Sequence, residues 1–188
     1  MTPDEKLRHS IESHLESVSA ITGLADAILL IAGRLEETLN AGGKILTCGN
    51  GGSAAEAMHL AEEMIGCFSR KRRPLAAVCL AADSTAMTCI ANDYGYEAIF
   101  ARQVEGLGRK GDALVALSTS GQSPNIVSAL KCARTLGLTT IGFLGKPGSP
   151  AEAFCDHVLN APGRNSAHIQ EVQLVATHLI LEYLDERF

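Results

Sequence analysis

From Lys44 onward the chain alternates short aliphatic runs with stretches of helical periodicity, and this alternation restricts the accessible folds more than any other feature of the sequence. The runs at 44–48, 75–80, 113–117, 139–144 and 157–160 are rich in β-branched or aliphatic residues and read as buried strands. Helical patterns fill most of the gaps, at about 53–66, 84–106 and 124–136, and a last one covers about 166–186. Strands that alternate with helices pair through right-handed crossovers, which gives a parallel sheet covered on both faces. The expected architecture is a three-layer α/β/α sandwich around a five-stranded parallel sheet.

Upstream, Leu7, Ile11, Leu15 and Val18 recur at three- or four-residue spacing, and a second periodic set runs from Ile21 to Leu39 before Gly42 and Gly43. This predicts an N-terminal helical pair over about 4–41, within a single domain spanning 1–188. The longest strongly apolar stretch, 25–32, is short of the ~20 residues a bilayer span needs, and the charged N-terminus is unlike a secretory signal. A cytoplasmic protein without a membrane partner is expected. Six cysteines without a CxxC pair read as reduced, mostly buried thiols. The net charge of −5 argues against nucleic-acid binding, and the one basic run, Arg70 to Arg73, reads as a solvated loop.

Ligands of such sheets bind beyond the carboxyl ends of the strands, so the loops leaving the first and third strands carry the most information. The first, Cys48-Gly49-Asn50-Gly51-Gly52-Ser53, has glycines that let backbone amides approach an anion. It matches neither GxGxxG nor GxxxxGK[ST], and it reads equally well as a plain glycine turn. The second, Ser118-Thr119-Ser120-Gly121-Gln122-Ser123-Pro124, sets Ser123 as N-cap and Pro124 as first helical residue. Four hydroxyls at a positive helix end exceed what a cap requires and suit a phosphate, held without a lysine. That chemistry favours a sugar phosphate over a nucleoside triphosphate.

Acid–base residues follow both loops. His59 and Glu63 are four apart on the helix after the first loop, a spacing that alone would mean a surface ion pair. On the last helix, Gln170 and His178 lie two turns apart and can border one cleft, although a lone histidine in an apolar run is usually a core residue. Asn92 and Asp93 precede Gly95 in what reads as ordinary turn chemistry.

Taken together, CGNGGSAAEAMHLAEEMIG, IANDYGYEAIF, LVALSTSGQSPNIVSAL and HIQEVQLVATHLI resemble, in order and over nearly the whole chain, the motifs of the phosphoheptose isomerases, which are sugar isomerase (SIS) proteins. The resemblance implies the flavodoxin-like SIS fold and conversion of sedoheptulose 7-phosphate to D-glycero-D-manno-heptose 7-phosphate, toward nucleotide-activated heptose for bacterial surface glycans. It implies a homotetramer with sites at subunit interfaces. By position, Asn50, Gly51, Gly52, Ser53, Asn92 and Asp93 would contact the sugar, with Glu63 and Gln170 also facing the substrate. Ser118, Thr119, Ser120 and Ser123 would hold its phosphate, and Glu63 and His178 would be the acid–base pair. One zinc ion per site would be bound by His59, Glu63, Gln170 and His178, as in some members. Cys67 stands where an arginine is common, and Ala167 where some members carry aspartate. A non-catalytic SIS protein that binds the replication initiator shares the loops, yet lacks counterparts of Glu63 and His178. An isomerase of another sugar phosphate is the other alternative.

Overall fold

The computed structural model describes residues 1–188. Five parallel strands, β1 (Ile45–Gly49), β2 (Ala77–Cys79), β3 (Ala113–Ser118), β4 (Thr139–Leu144) and β5 (His157–Asn160), form one sheet in the order β2-β1-β3-β4-β5. Seven α-helices accompany them: α1 (Pro3–Ser19), α2 (Ala25–Asn40), α3 (Gly52–Ile65), α4 (Ser84–Tyr94), α5 (Ala101–Leu107), α6 (Pro124–Leu136) and α7 (Ser166–Asp185). Side chains alternate across the central strand β3. Ala113, Val115 and Leu117 join a core with α2, α3 and α7, while Leu114 and Ala116 join a second core with α5 and α6. Two apolar layers flanking one sheet give the three-layer sandwich expected from the sequence.

Several elements depart from the sequence expectation. The run at 75–80 contributes only three residues to the ladder, although Ala76 and Leu80 still exchange backbone bonds with β1. β2 is an edge strand, so Val78 lies exposed where a buried strand was expected. The helix expected over 84–106 is broken at Gly95, whose φ of +86° ends α4, and a 3-10 turn leads on to α5. Of the six free cysteines only Cys48 is buried; Cys67 and Cys89 are exposed. The basic run is not a solvated loop throughout, because the Arg72 side chain is 2% exposed and pairs with Asp185, itself 1% exposed.

α1 starts with a reciprocal capping box between Thr2 and Glu5. It lies against α7 with Ser17 as its one buried residue, and leaves Leu7, Ile11 and Leu15 49–62% exposed along one stripe. The helical stretch Pro3–Asn40 holds an 18-residue window with a mean hydropathy of 1.7, apolar enough to cross a membrane by length and composition and only 22% buried. Asp26 and Arg34 sit on α2 within this stretch, and α2 packs its Ile31, Ala32 and Leu35 into the core beneath. Burial of that kind marks α2 as a layer of the sandwich with an apolar outer surface, corresponding to roughly 2 kcal/mol for each large aliphatic side chain withdrawn from water.

Candidate active site

β1 and β3 are neighbours, yet α3 leaves β1 toward one face of the sheet and α6 leaves β3 toward the other. The chain therefore diverges at their carboxyl ends and opens a crevice. The first loop fits this place because of its glycines. A Cβ on Gly49 would run into the backbone of Ser53 and lie 2.9 Å from the Ala54 nitrogen, and Gly51 has a φ of +56° as it enters α3. In the second loop Gly121 has a φ of +62° and packs on Ser149.

A polar cavity of about 140 Å³ lies in the crevice. Asn50 and Ser53 line it from the first loop, and Ser118, Thr119, Ser120 and Ser123 from the second. Ser123 is the N-cap of α6, but its hydroxyl makes no capping bond and is free to meet a ligand. The Asn50 and Asn125 amides exchange two hydrogen bonds of 2.9 and 2.8 Å and so join the two loops, and the Tyr96 hydroxyl donates to Asn50 at 3.1 Å. α7 brings a third helix N-terminus. Its Gln170 donates weakly to Ser53 at 3.4 Å, and its Ser166 hydroxyl lies 3.3 Å from that of Thr119. Amide dipoles from three helix starts and a ring of hydroxyls, with no ionised group among the lining residues, suit a phosphate.

Farther along the same two helices, His59 of α3 and His178 of α7 meet, their Nε2 atoms 3.0 Å apart. Glu63 is 4.0 Å from His59 Nε2, and Glu62 approaches the other ring nitrogen at 3.2 Å. Phe68 stacks on His178 with ring centroids 5.4 Å apart. His178 is therefore no isolated core histidine, and the His59/Glu63 pair is half-buried rather than a free surface pair.

The sites carried over from the resemblance are not all together in one chain. Gln170 sits with Ser53 in the polar cavity, where a Cβ on Gly52 would be 2.6 Å from its amide nitrogen; Gly52 thus leaves room for Gln170 instead of lining the cavity. Gly51 is exposed beside it. Asn92 and Asp93 lie exposed at the end of α4, bonded to each other at 2.7 Å and outside the cavity lining.

Sequence spacing did not single out four residues that belong here: Ser166, Asn125, Glu62 and Glu56. Ser166 directly follows the N-cap of α7 and Asn125 stands two positions past that of α6, which was the available signal. Glu62, beside the expected Glu63, could be found from its i,i+3 relation to His59. Glu56 is 8% exposed, neither carboxyl oxygen has a hydrogen-bond partner, and it borders a groove with His59, Leu174 and His178. Burial lifts its carboxyl from 4.5 to about 7.

A SIS domain family model matches residues 8–145. Phosphoheptose isomerase 1 of Campylobacter jejuni is 43% identical over 177 residues, covering 94% of this chain and 95% of that protein. Among solved structures, a phosphoheptose isomerase from Neisseria gonorrhoeae superposes with a TM-score of 0.92 at 36% identity, over 98% of this chain and 100% of that one. One from Francisella tularensis gives 0.94 at 34% identity, over 99% and 100%. The chain belongs to the SIS domain family, whose fold and crevice it has. Within that family its relatives at this identity and coverage are phosphoheptose isomerases, and it is a member of their group.

Two measurements probe this geometry. Ser166→Ala, by removing one hydroxyl worth about 1 kcal/mol from the cradle, should weaken inorganic phosphate binding about fivefold in calorimetry. For Glu56, a folded-state value above the unfolded one means that the fold binds an extra proton between pH 4.5 and about 7, so stability falls as pH rises through that window. Urea melts at pH 5 and pH 8 should show Glu56→Gln gaining on the parent protein by up to about 3 kcal/mol at the higher pH.

Proposed function

We infer that the chain is an aldose–ketose isomerase interconverting sedoheptulose 7-phosphate and D-glycero-D-manno-heptose 7-phosphate. What carries this reading is the placing of a phosphate cradle and an acid–base cluster on the same two helices. Ser53 in the cradle and His59 in the cluster are six residues apart on α3, or about 9 Å along the axis, the order of the span from a terminal phosphate to the far carbons of a sugar. Glu63 takes a proton from C1 of the ketose while O2 takes one from solvent, giving the enediol. His178 then gives a proton to C2 while O1 gives its own to solvent, leaving the aldehyde at C1, and exchange with solvent removes the proton from Glu63 and restores that of His178. The cradle keeps the phosphate fixed throughout, so each transfer occurs within one bound complex. Convergence of Glu63 and His178 on His59 favours catalysis over the non-catalytic initiator-binding alternative.

A zinc ion fits part of this cluster. His59, His178 and Glu63 offer two nitrogens and an oxygen, and the Nε2 separation of 3.0 Å is near that of two tetrahedral ligands. Gln170, the remaining ligand implied by the resemblance, is engaged with Ser53, and a change of its side chain would be needed to join them. Bound there, zinc would polarise the carbonyl and stabilise the enediolate.

We also propose a cytoplasmic homotetramer whose sites are completed between subunits. The exposed stripe of Leu7, Ile11 and Leu15, with Leu29 and Leu30 on α2, supplies an apolar face of the kind that further copies cover. Met58 and Ile65 extend exposed apolar surface beside His59, and Asn92 and Asp93, exposed and outside the lining of their own chain's cradle, are then supplied to a partner's site.

With sedoheptulose 7-phosphate in deuterated water, the protein should exchange carbon-bound protons and form the aldose, and chelator should reduce the rate if zinc takes part. Glu63→Gln and His178→Gln should each lower exchange by about 10²–10⁴-fold. Undiminished exchange in both would remove these residues from the mechanism. Mixing Asp93→Ala chains with Glu63→Gln chains should restore part of the activity through hybrid sites, whereas an Asp93 acting within its own chain gives none.

A further inference from the structure

Glu63 stands in the last turn of α3, where helices fray and carbonyl groups lack partners. The usual remedy is a glycine in the left-handed conformation, and α6 uses it: Gly137, at φ +78°, bonds back to Ala133 and Arg134. Gly66 does not. Its φ of −73° and ψ of −107° allow a 2.7 Å bond to the Glu62 carbonyl; the Met64 carbonyl accepts from the Leu75 backbone at 2.9 Å, and that of Glu63 is left without a backbone donor.

Arg72 closes this end. Its Nη2 donates to the Glu63 carbonyl and its Nη1 to that of Met64, each at 2.9 Å, which places a cation at the negative end of the helix. Its Nε donates at 2.6 Å to Asp185, the last residue of α7, seven positions beyond His178. The other Asp185 oxygen accepts from the backbone of Ser69 at 2.7 Å and of Arg70 at 3.0 Å. Burial alone would raise the Asp185 carboxyl; the hydrogen bonds from Ser69, Arg72 and Arg70 outweigh it and hold the group below the usual carboxylate range.

We propose that Arg72 is a positioning residue of the isomerase, which caps the turn carrying Glu63 and, through Asp185, locks that turn to the helix carrying His178. This rests on Glu63 and His178 being the acid–base pair. The cradle lies at the opposite end of α3, so the clamp governs the chemical step more than the hold on phosphate.

The test compares Arg72→Met, Asp185→Asn and the unaltered enzyme for kcat and KM with sedoheptulose 7-phosphate, and for hydrogen exchange at residues 62–66. Val104→Ala, a truncation in the core on the other face of the sheet, serves as a control for lost stability. Arg72→Met should lower kcat about 30-fold or more with KM within about threefold, since small displacements of reacting groups are that costly. Exchange at 62–66 should accelerate beyond the rest of the protein. Asp185→Asn, which keeps both carbonyl bonds, should lose less, about fivefold in kcat. A folded Arg72→Met protein with kcat within threefold of the parent would overturn the proposal, as would a matching loss in Val104→Ala at equal Tm. If Arg72→Met does not fold, Asp185→Asn decides, and a parental kcat there overturns it. An active Glu63→Gln enzyme would instead overturn the acid–base assignment, while accelerated exchange at 62–66 would still report the cap.

Discussion

The divergence of the chain between β1 and β3 is the constraint on which the rest of the site depends. Because α3 and α6 depart to opposite faces of the sheet, neither helix covers the gap above these two strands, and both direct the positive ends of their dipoles toward it. Hydroxyl side chains complete the shell, and α7 closes it with a third helix start. A phosphate can be held there by dipoles alone. The reciprocal amide pair of Asn50 and Asn125 keeps the two loops from separating, which matters because backbone donors act on an anion only at hydrogen-bond distance.

α3 and α7 do two tasks at once. Their N-terminal turns border the cradle, and their later turns bring His59, Glu63 and His178 together. Carrying both sites on a rigid helix pair sets their separation, which a flexible loop could not do. The arrangement also has costs. Glu56 and one oxygen of Gln173 are buried without partners, and the Arg72–Asp185 ion pair is almost completely withdrawn from water. An unpaired buried polar group opposes folding by about 1–3 kcal/mol. Glu56 and Gln173 lie on α3 and α7, the helices that carry the site, while Ser149 and Asn160 hold the other unpartnered atoms outside them.

Much of this was legible in the chain. The aliphatic runs located all five strands, because strands covered on both faces need continuous apolar sequence. The length of β2 was not legible: Leu75 is as buried as any strand residue yet its amide bonds to Met64 of α3 and not to the sheet. Hydrophobicity reports withdrawal from water, and strand pairing is a separate matter. The break at Gly95 was hidden for a related reason, since apolar periodicity continues through the 3-10 turn into Ile99, Phe100 and Val104. The basic run misled because charge was read without its partner, which lies 113 residues away.

Local pattern was thus enough for the order of elements, the glycine- and hydroxyl-rich make-up of the two loops and the helices that carry His59, Glu63, Gln170 and His178, since each depends on neighbours within a few positions. Folding decided which of those residues meet. It joined His59 to His178 across 119 residues, drew Ser166 and Gln170 into the cradle, left Asn92 and Asp93 outside its lining, and buried Arg72 against Asp185. These outcomes follow from the packing of α3 against α7 and the sheet, and side-chain contacts between elements far apart in the chain leave no periodic trace in either one.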